Sequence, residues 1–178
     1  MKTKQTELQQ LAFLSKYLKD DNEELLELLS SHIGHMVFEF NMLEERLTSF
    51  ICQLFIDDID AIGLIVTKDM NYSGKIDLLN KFALYYQNVK NRNVERHEKL
   101  INDLKESGRL RNIVVHAEWN TIDLDGFTYS KLRMKKGEMS QEFVQLNEYS
   151  LIQIRNQIIE TYNSFDEYEE EYFEKLQN

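Results

Sequence analysis

The chain contains no proline and only six glycines among its 178 residues. Nothing else in the sequence limits its fold as strongly. Proline breaks helix interiors and glycine weakens them. A chain without the first and sparing with the second favours long uninterrupted helices and few tight turns. The length suits one domain with a real core, and 42% apolar residues are enough for a globular fold. No run of about 18 apolar residues occurs, so no segment reads as a membrane span. Met1-Lys2-Thr3-Lys4-Gln5 leads into a polar helical pattern without a secretory apolar region. The single cysteine, Cys52, excludes an internal disulfide and fits the reducing cytoplasm.

Apolar spacing predicts a mainly α fold: an up-and-down helical bundle with a small β-hairpin inserted before the last helix. Leu8, Leu11, Leu14 and Leu18 recur at helical spacing over residues 5–19. Asp20-Asp21-Asn22 reads as a break and new N-cap, with Glu23 and Glu24 in the first turn after it. Residues 1–30 are thus expected to form a helical extension of the single 1–178 domain, used for packing or as an interface. A helix over 33–56 carries the stripe Val37, Phe40, Leu47, Ile51, Leu54 and Phe55. Glu44 projects into that stripe, and a carboxylate among such neighbours is expected to be paired. Its expected partners are Arg111 and Lys75. His32 and His35 share a face but lack further metal ligands, so no metal site and no cofactor is expected. Asp60 could cap a short helix through Val66. Ser73 is a plausible N-cap for a third long helix, with Lys75 heading a face that continues through Leu78, Leu79, Phe82 and Tyr86.

The next helix is expected over 94–118, with a kink possible at Gly108. At 100° and about 1.5 Å per residue, Arg111 and His116 lie about 140° and roughly 7.5 Å apart on it. Asn112 falls one turn before His116. Gly108 projects between Arg111 and His116 and should leave open surface there. Leu110, Ile113 and Val114 cover the opposite side. A helix so widely apolar is buried against neighbours, and a guanidinium and an imidazole on it are costly unless paired or used. The plain alternative is an Arg paired with a carboxylate and a His capping the helix end.

Downstream, Ser130, Leu132 and Met134 alternate with Tyr129, Lys131, Arg133 and Lys135, and Lys136-Gly137 reads as the turn before a partner strand over 142–146. Lys131, Arg133 and Lys135 make one face basic, suited to an RNA backbone or simply to water. Asn147 can cap the last helix, whose stripe is Leu151, Ile154, Ile158, Tyr162 and Phe165. Its acidic end, residues 166–178, is expected to protrude or fray. The net charge of −10 argues against general nucleic-acid binding. Residues 81–116, however, carry eight Lys/Arg against four Asp/Glu, so the Arg–His stretch lies in a basic part of an acidic chain.

Arg111-Asn112, three further residues and His116, in this helical setting and with Glu44 on a preceding helix, resemble the motif of the HEPN family over roughly residues 30–165. The resemblance implies a metal-independent endoribonuclease, cytoplasmic, with a composite site across a homodimer. In that reading His116 is the general acid/base, Arg111 stabilises the phosphate and Asn112 orients one of them, with Glu44 and Lys75 in support. RNA or a nucleotide is the expected ligand; DNA and membranes are not. A toxin or defence role, with an antitoxin partner, is a further implication. The alternatives are a non-catalytic nucleotide- or RNA-binding module of the same family, or a purely structural helical dimer. In one toxin subgroup a Tyr stands two places after the motif His; here that place is Glu118, so regulation through that Tyr does not transfer.

Overall fold

The computed structural model describes residues 1–7, 23–55, 61–119 and 125–176. They are mainly helical, with one small antiparallel sheet. The order is β1 (Thr3–Glu7), α1 (Glu23–Gln53), α2 (Ala61–Thr67), α3 (Tyr72–Lys90), α4 (His97–Val115), β2 (Phe127–Lys135), β3 (Glu138–Gln145) and α5 (Glu148–Leu176). These elements make two compact units, one of residues 1–37 with 110–155, the other of residues 38–109 with 156–178.

The first unit holds the sheet. β3 lies between β1 and β2 and pairs antiparallel with both. The expected hairpin is present. Lys136 (φ 52°) and Gly137 (φ 86°) both adopt left-handed backbone, as a two-residue hairpin turn matched to strand twist requires. A register shift between Tyr129 and Lys131 interrupts the pairing of β2. The strand β1 corrects the expectation of helix from residue 5: Thr3–Glu7 pairs with Val144–Ser140 instead. Its sequence is polar, and its tertiary partner outweighs a weak local preference. Lys4 Nζ sits 4.3 Å from the centre of the Phe127 ring, a cation–π contact that holds β1 to the sheet. The leucine stripe from Leu8 to Leu18, the cap at Asn22 and the Asp60 cap lie outside the described residues. Leu29, Met36, Val114, Val144, Leu146 and Leu151 are buried in this unit.

The second unit is helical. Phe50, at 0% exposure, is its aromatic centre, with Phe165, Tyr168, Tyr172 and Phe173 rings around it at 5.5–6.1 Å. The expected α1 stripe is buried here at Phe40, Leu47, Ile51 and Leu54 and half-buried at Phe55; its first member, Val37, is half-buried in the first unit. Arg46 ties α1 to α5 through Asp166 (2.9 Å) and Glu169 (2.6 Å). Asn71, not Ser73, caps α3: its side chain accepts the Gly74 N–H at 2.8 Å. Cys52 is buried against Gly63, where an added Cβ would lie 2.6 Å from the cysteine.

The acidic chain end is a second correction. It continues α5 to Leu176, and Tyr168, Glu171, Tyr172 and Leu176 are buried. Glu171 accepts the backbone N–H groups of Glu95 (2.8 Å) and Arg96 (3.3 Å), and Lys175 approaches it at 2.8 Å. Glu171 thus caps the start of α4, while Asp166, Glu167, Glu170 and Glu174 on the same helix are exposed. In α5 itself, Asn147 Oδ1 accepts the Ser150 N–H at 2.9 Å, the expected cap.

Candidate functional site at the end of α4

α4 ends at Val115, one residue before the motif histidine. The helix stops because three donors and acceptors leave its ladder. Trp119 Nε1 donates to the Val114 carbonyl at 3.0 Å, and the Ala117 N–H reaches the same oxygen at 3.4 Å. The Glu118 N–H then donates to Tyr129 O at 3.0 Å, joining the chain to β2 in an isolated bridge. Glu118 thus joins the sheet while its neighbours close the last turn, correcting the expectation of helix through Glu118.

His116 keeps one link to the last turn: its N–H donates to Asn112 O at 3.1 Å. It follows Asn112 by one turn, as the spacing predicts, and both side chains are exposed. Arg111 is half-buried, and its Nη1 donates to Asn112 Oδ1 at 3.0 Å. The three residues form a contiguous group at a helix C-terminus, where a positive charge is favourable. The arrangement can present a guanidinium held by an amide and a solvent-accessible imidazole to an anion. It is less buried than the sequence suggests, since Val115 is also exposed.

Gly108 does not open the surface. It is buried, and an added Cβ would meet Tyr72 Cε1 at 2.8 Å. Tyr72 donates from its hydroxyl to Leu104 O at 3.1 Å. Burial first, and the Glu44 charge second, push its phenol pKa well up.

Glu44 and Lys75 come together, Nζ to Oε1 at 2.7 Å, with the lysine side chain 12% exposed and the glutamate 32%. Of the two expected partners for Glu44, this contact supplies Lys75. Lys131 and Arg133 both approach the buried Glu142, the first at 3.6 Å and the second through a direct hydrogen bond. The Arg133 hydrogen bond holds the Glu142 carboxyl below the usual range. Gln5 Nε2 donates to it at 3.2 Å, so this carboxylate fastens all three strands. Two of the three cations expected on an RNA-facing strand are thus engaged within the sheet, while Lys135 is exposed. His32 Nε2 lies 3.3 Å from Glu148 Oε1, and His35 is exposed. No group of three or more His, Cys, Asp or Glu among the described residues is placed to hold a metal ion. No described helix is long and apolar enough to cross a membrane.

The sequence reading missed Tyr129 as a neighbour of this region. Its backbone bridge to Glu118 brings it beside the motif, and burial, then the Glu118 charge, raise its phenol pKa. The separation of eleven residues left no local signal for that pairing. No protein-family model, no curated protein and no solved structure matches the chain.

Proposed function

We propose that the protein is a metal-independent endoribonuclease of HEPN type, built as an up-and-down helical homodimer with one composite cleft. The observation that carries the reading is the contiguous group at the end of α4: exposed His116 one turn beyond exposed Asn112, with Arg111 fixed on Asn112 at 3.0 Å. Cleavage without a metal needs a base for the 2′-hydroxyl, an acid for the leaving 5′-oxygen and positive charge on the transition state. One chain brings one histidine in this group, and a two-fold axis doubles it. In the dimer, one His116 takes the 2′-hydroxyl proton as that oxygen attacks phosphorus. The partner's His116 gives a proton to the 5′-oxygen as its bond to phosphorus breaks. Imidazole suits both tasks near neutral pH. Arg111 offers its planar fork to two phosphate oxygens, and Asn112 holds that fork. Glu44 and Lys75 support the fold of the second unit, and Lys135 is the remaining cation for the RNA backbone. The setting is cytoplasmic, with an antitoxin as partner if the protein acts as a toxin or in defence.

Product analysis tests this chemistry. Each cut should leave a 2′,3′-cyclic phosphate and a 5′-hydroxyl, and a strand with 2′-deoxyribose at the cut position should be resistant there. RNA binding without any cut, weakened by His116→Ala and Arg111→Ala, would instead assign a non-catalytic binding module.

A further inference from the structure

β2 is an edge strand: β3 pairs with one side of it, and no strand of the sheet lies on the other. The hairpin turn fixes which backbone groups face that outer side. Lys135 and Glu138 flank the two-residue turn and are paired, so they exchange both backbone hydrogen bonds. Bonded and non-bonded pairs alternate along an antiparallel ladder. Lys131 and Arg133 therefore bond to β3, and Leu132 and Met134 turn their N–H and C=O groups outward. The outer side is used where Tyr129 O accepts the Glu118 N–H at 3.0 Å. Among the described residues, no backbone bond continues that pairing to Leu132 or Met134, and every residue from Lys131 to Lys135 is exposed. An exposed row of outward N–H and C=O groups is a template for another strand.

The side chains decide which strand fits. Successive residues point to opposite faces. Leu132 (46% exposed) and Met134 (70%) share one face with Met139, the partner of Met134. Lys131, Arg133 and Lys135 share the other. The carboxylates on that face, Glu138 and Glu142, belong to β3, so a strand added on the outer side meets three cations. A second copy of β2 would set these cations against their own kind, and like charges directly opposite are destabilising. An RNA backbone matches the cations but not the alternation of apolar and charged faces. We propose that the outer edge of β2 binds an extended acidic peptide segment of a partner protein, antiparallel, with apolar residues opposite Leu132 and Met134 and carboxylates opposite Lys131, Arg133 and Lys135. Backbone bonds give the affinity and the alternation gives the specificity. The proposal does not rest on the ribonuclease reading.

The probe is the acetylated and amidated peptide Glu-Val-Glu-Val-Glu, titrated into the whole protein and followed by the backbone amide NMR signals of Leu132 and Met134. Both should shift and saturate together at about millimolar peptide or below. Lys-Val-Lys-Val-Lys should bind about tenfold more weakly or worse, since each cross-strand charge pair becomes repulsive. N-methylation of both valines removes the N–H groups aimed at β2 and should abolish binding. N-methylation of the central glutamate, whose N–H is aimed at solvent, should change it by no more than about threefold. In Met134→Pro the lost N–H is one that β3 does not use, so the hairpin should fold, as the β3 amide signals report. Peptide binding to that variant should fall about tenfold or more. Absence of saturable shifts at about 10 mM peptide overturns the proposal. So does equal binding of the valine-methylated peptide, or unchanged binding in folded Met134→Pro, since either shows a merely charged surface, as open to RNA as to peptide. A dimer that Met134→Pro dissolves would assign the edge to a second copy and overturns it too.

Discussion

Lys75 Nζ lies 2.7 Å from Glu44 Oε1, joining α3 to α1 where the lysine is almost withdrawn from water. Removing the carboxylate leaves that ammonium without its partner. Glu44 is itself 32% exposed, so solvent recovers part of the loss. Glu44→Ala should cost about 1–2 kcal/mol. Glu45→Ala, on the exposed side of the same helix, should cost roughly 0.5 kcal/mol or less. Equal melting temperatures for the two variants would contradict this account.

Gly108 gives a second test. Alanine in a helix interior normally gains up to about 1 kcal/mol over glycine. Here its Cβ would lie 2.8 Å from the Tyr72 ring, and displacing that ring also strains its bond to Leu104 O. Overpacking of this kind costs about 1–3 kcal/mol, so Gly108→Ala should destabilise. In a Tyr72→Leu background the same change should cost less or become favourable. Stabilisation by Gly108→Ala alone would show that the ring yields freely.

His97 makes stability depend on pH. Burial lowers its pKa in the folded state from the ordinary 6.5. The unfolded chain therefore takes up a proton first as pH falls. The stabilising contribution is complete above about pH 6.5 and is lost progressively below it, toward the lower folded pKa, at no more than about 1.4 kcal/mol per pH unit. Denaturant midpoints between pH 7.5 and 5.5 should fall more steeply for the wild type than for His97→Gln. Parallel slopes would exclude His97 as the source.

The hairpin and the last helix were legible because their signals are local: strand alternation, a Lys-Gly turn and an Asn cap. β1 was not, since Thr3–Glu7 has no apolar alternation and gains its order from β3. The chain end misled because its acidic residues suggest a solvated face, while Tyr168, Tyr172 and Leu176 recur at helical spacing and are buried. The end of α4 was misjudged for a related reason. Val114 to Trp119 contains no glycine or proline stop, and the helix yields to Trp119 and the Glu118–Tyr129 bridge instead. The Arg–Asn–His grouping was readable from spacing alone; the neighbouring Tyr129 was not.

A composite cleft requires two chains. Sedimentation at tens of micromolar should give a species of about twice the 21.3 kDa chain mass. His116→Ala should leave that assembly intact, because an exposed side chain beyond the helix end contributes little to stability. A monomer at high micromolar concentration would contradict the two-histidine mechanism.

The central claim is that His116 moves the protons of RNA cleavage without a metal. Labelled RNA incubated with the purified protein in excess EDTA measures this directly, with wild type, His116→Ala and Arg111→Lys side by side. The account predicts cleavage by the wild type and none above background by His116→Ala. Arg111→Lys should also fail, since lysine keeps the charge but loses the fork. Loss of wild-type cleavage in EDTA, or undiminished cleavage by His116→Ala, would contradict it.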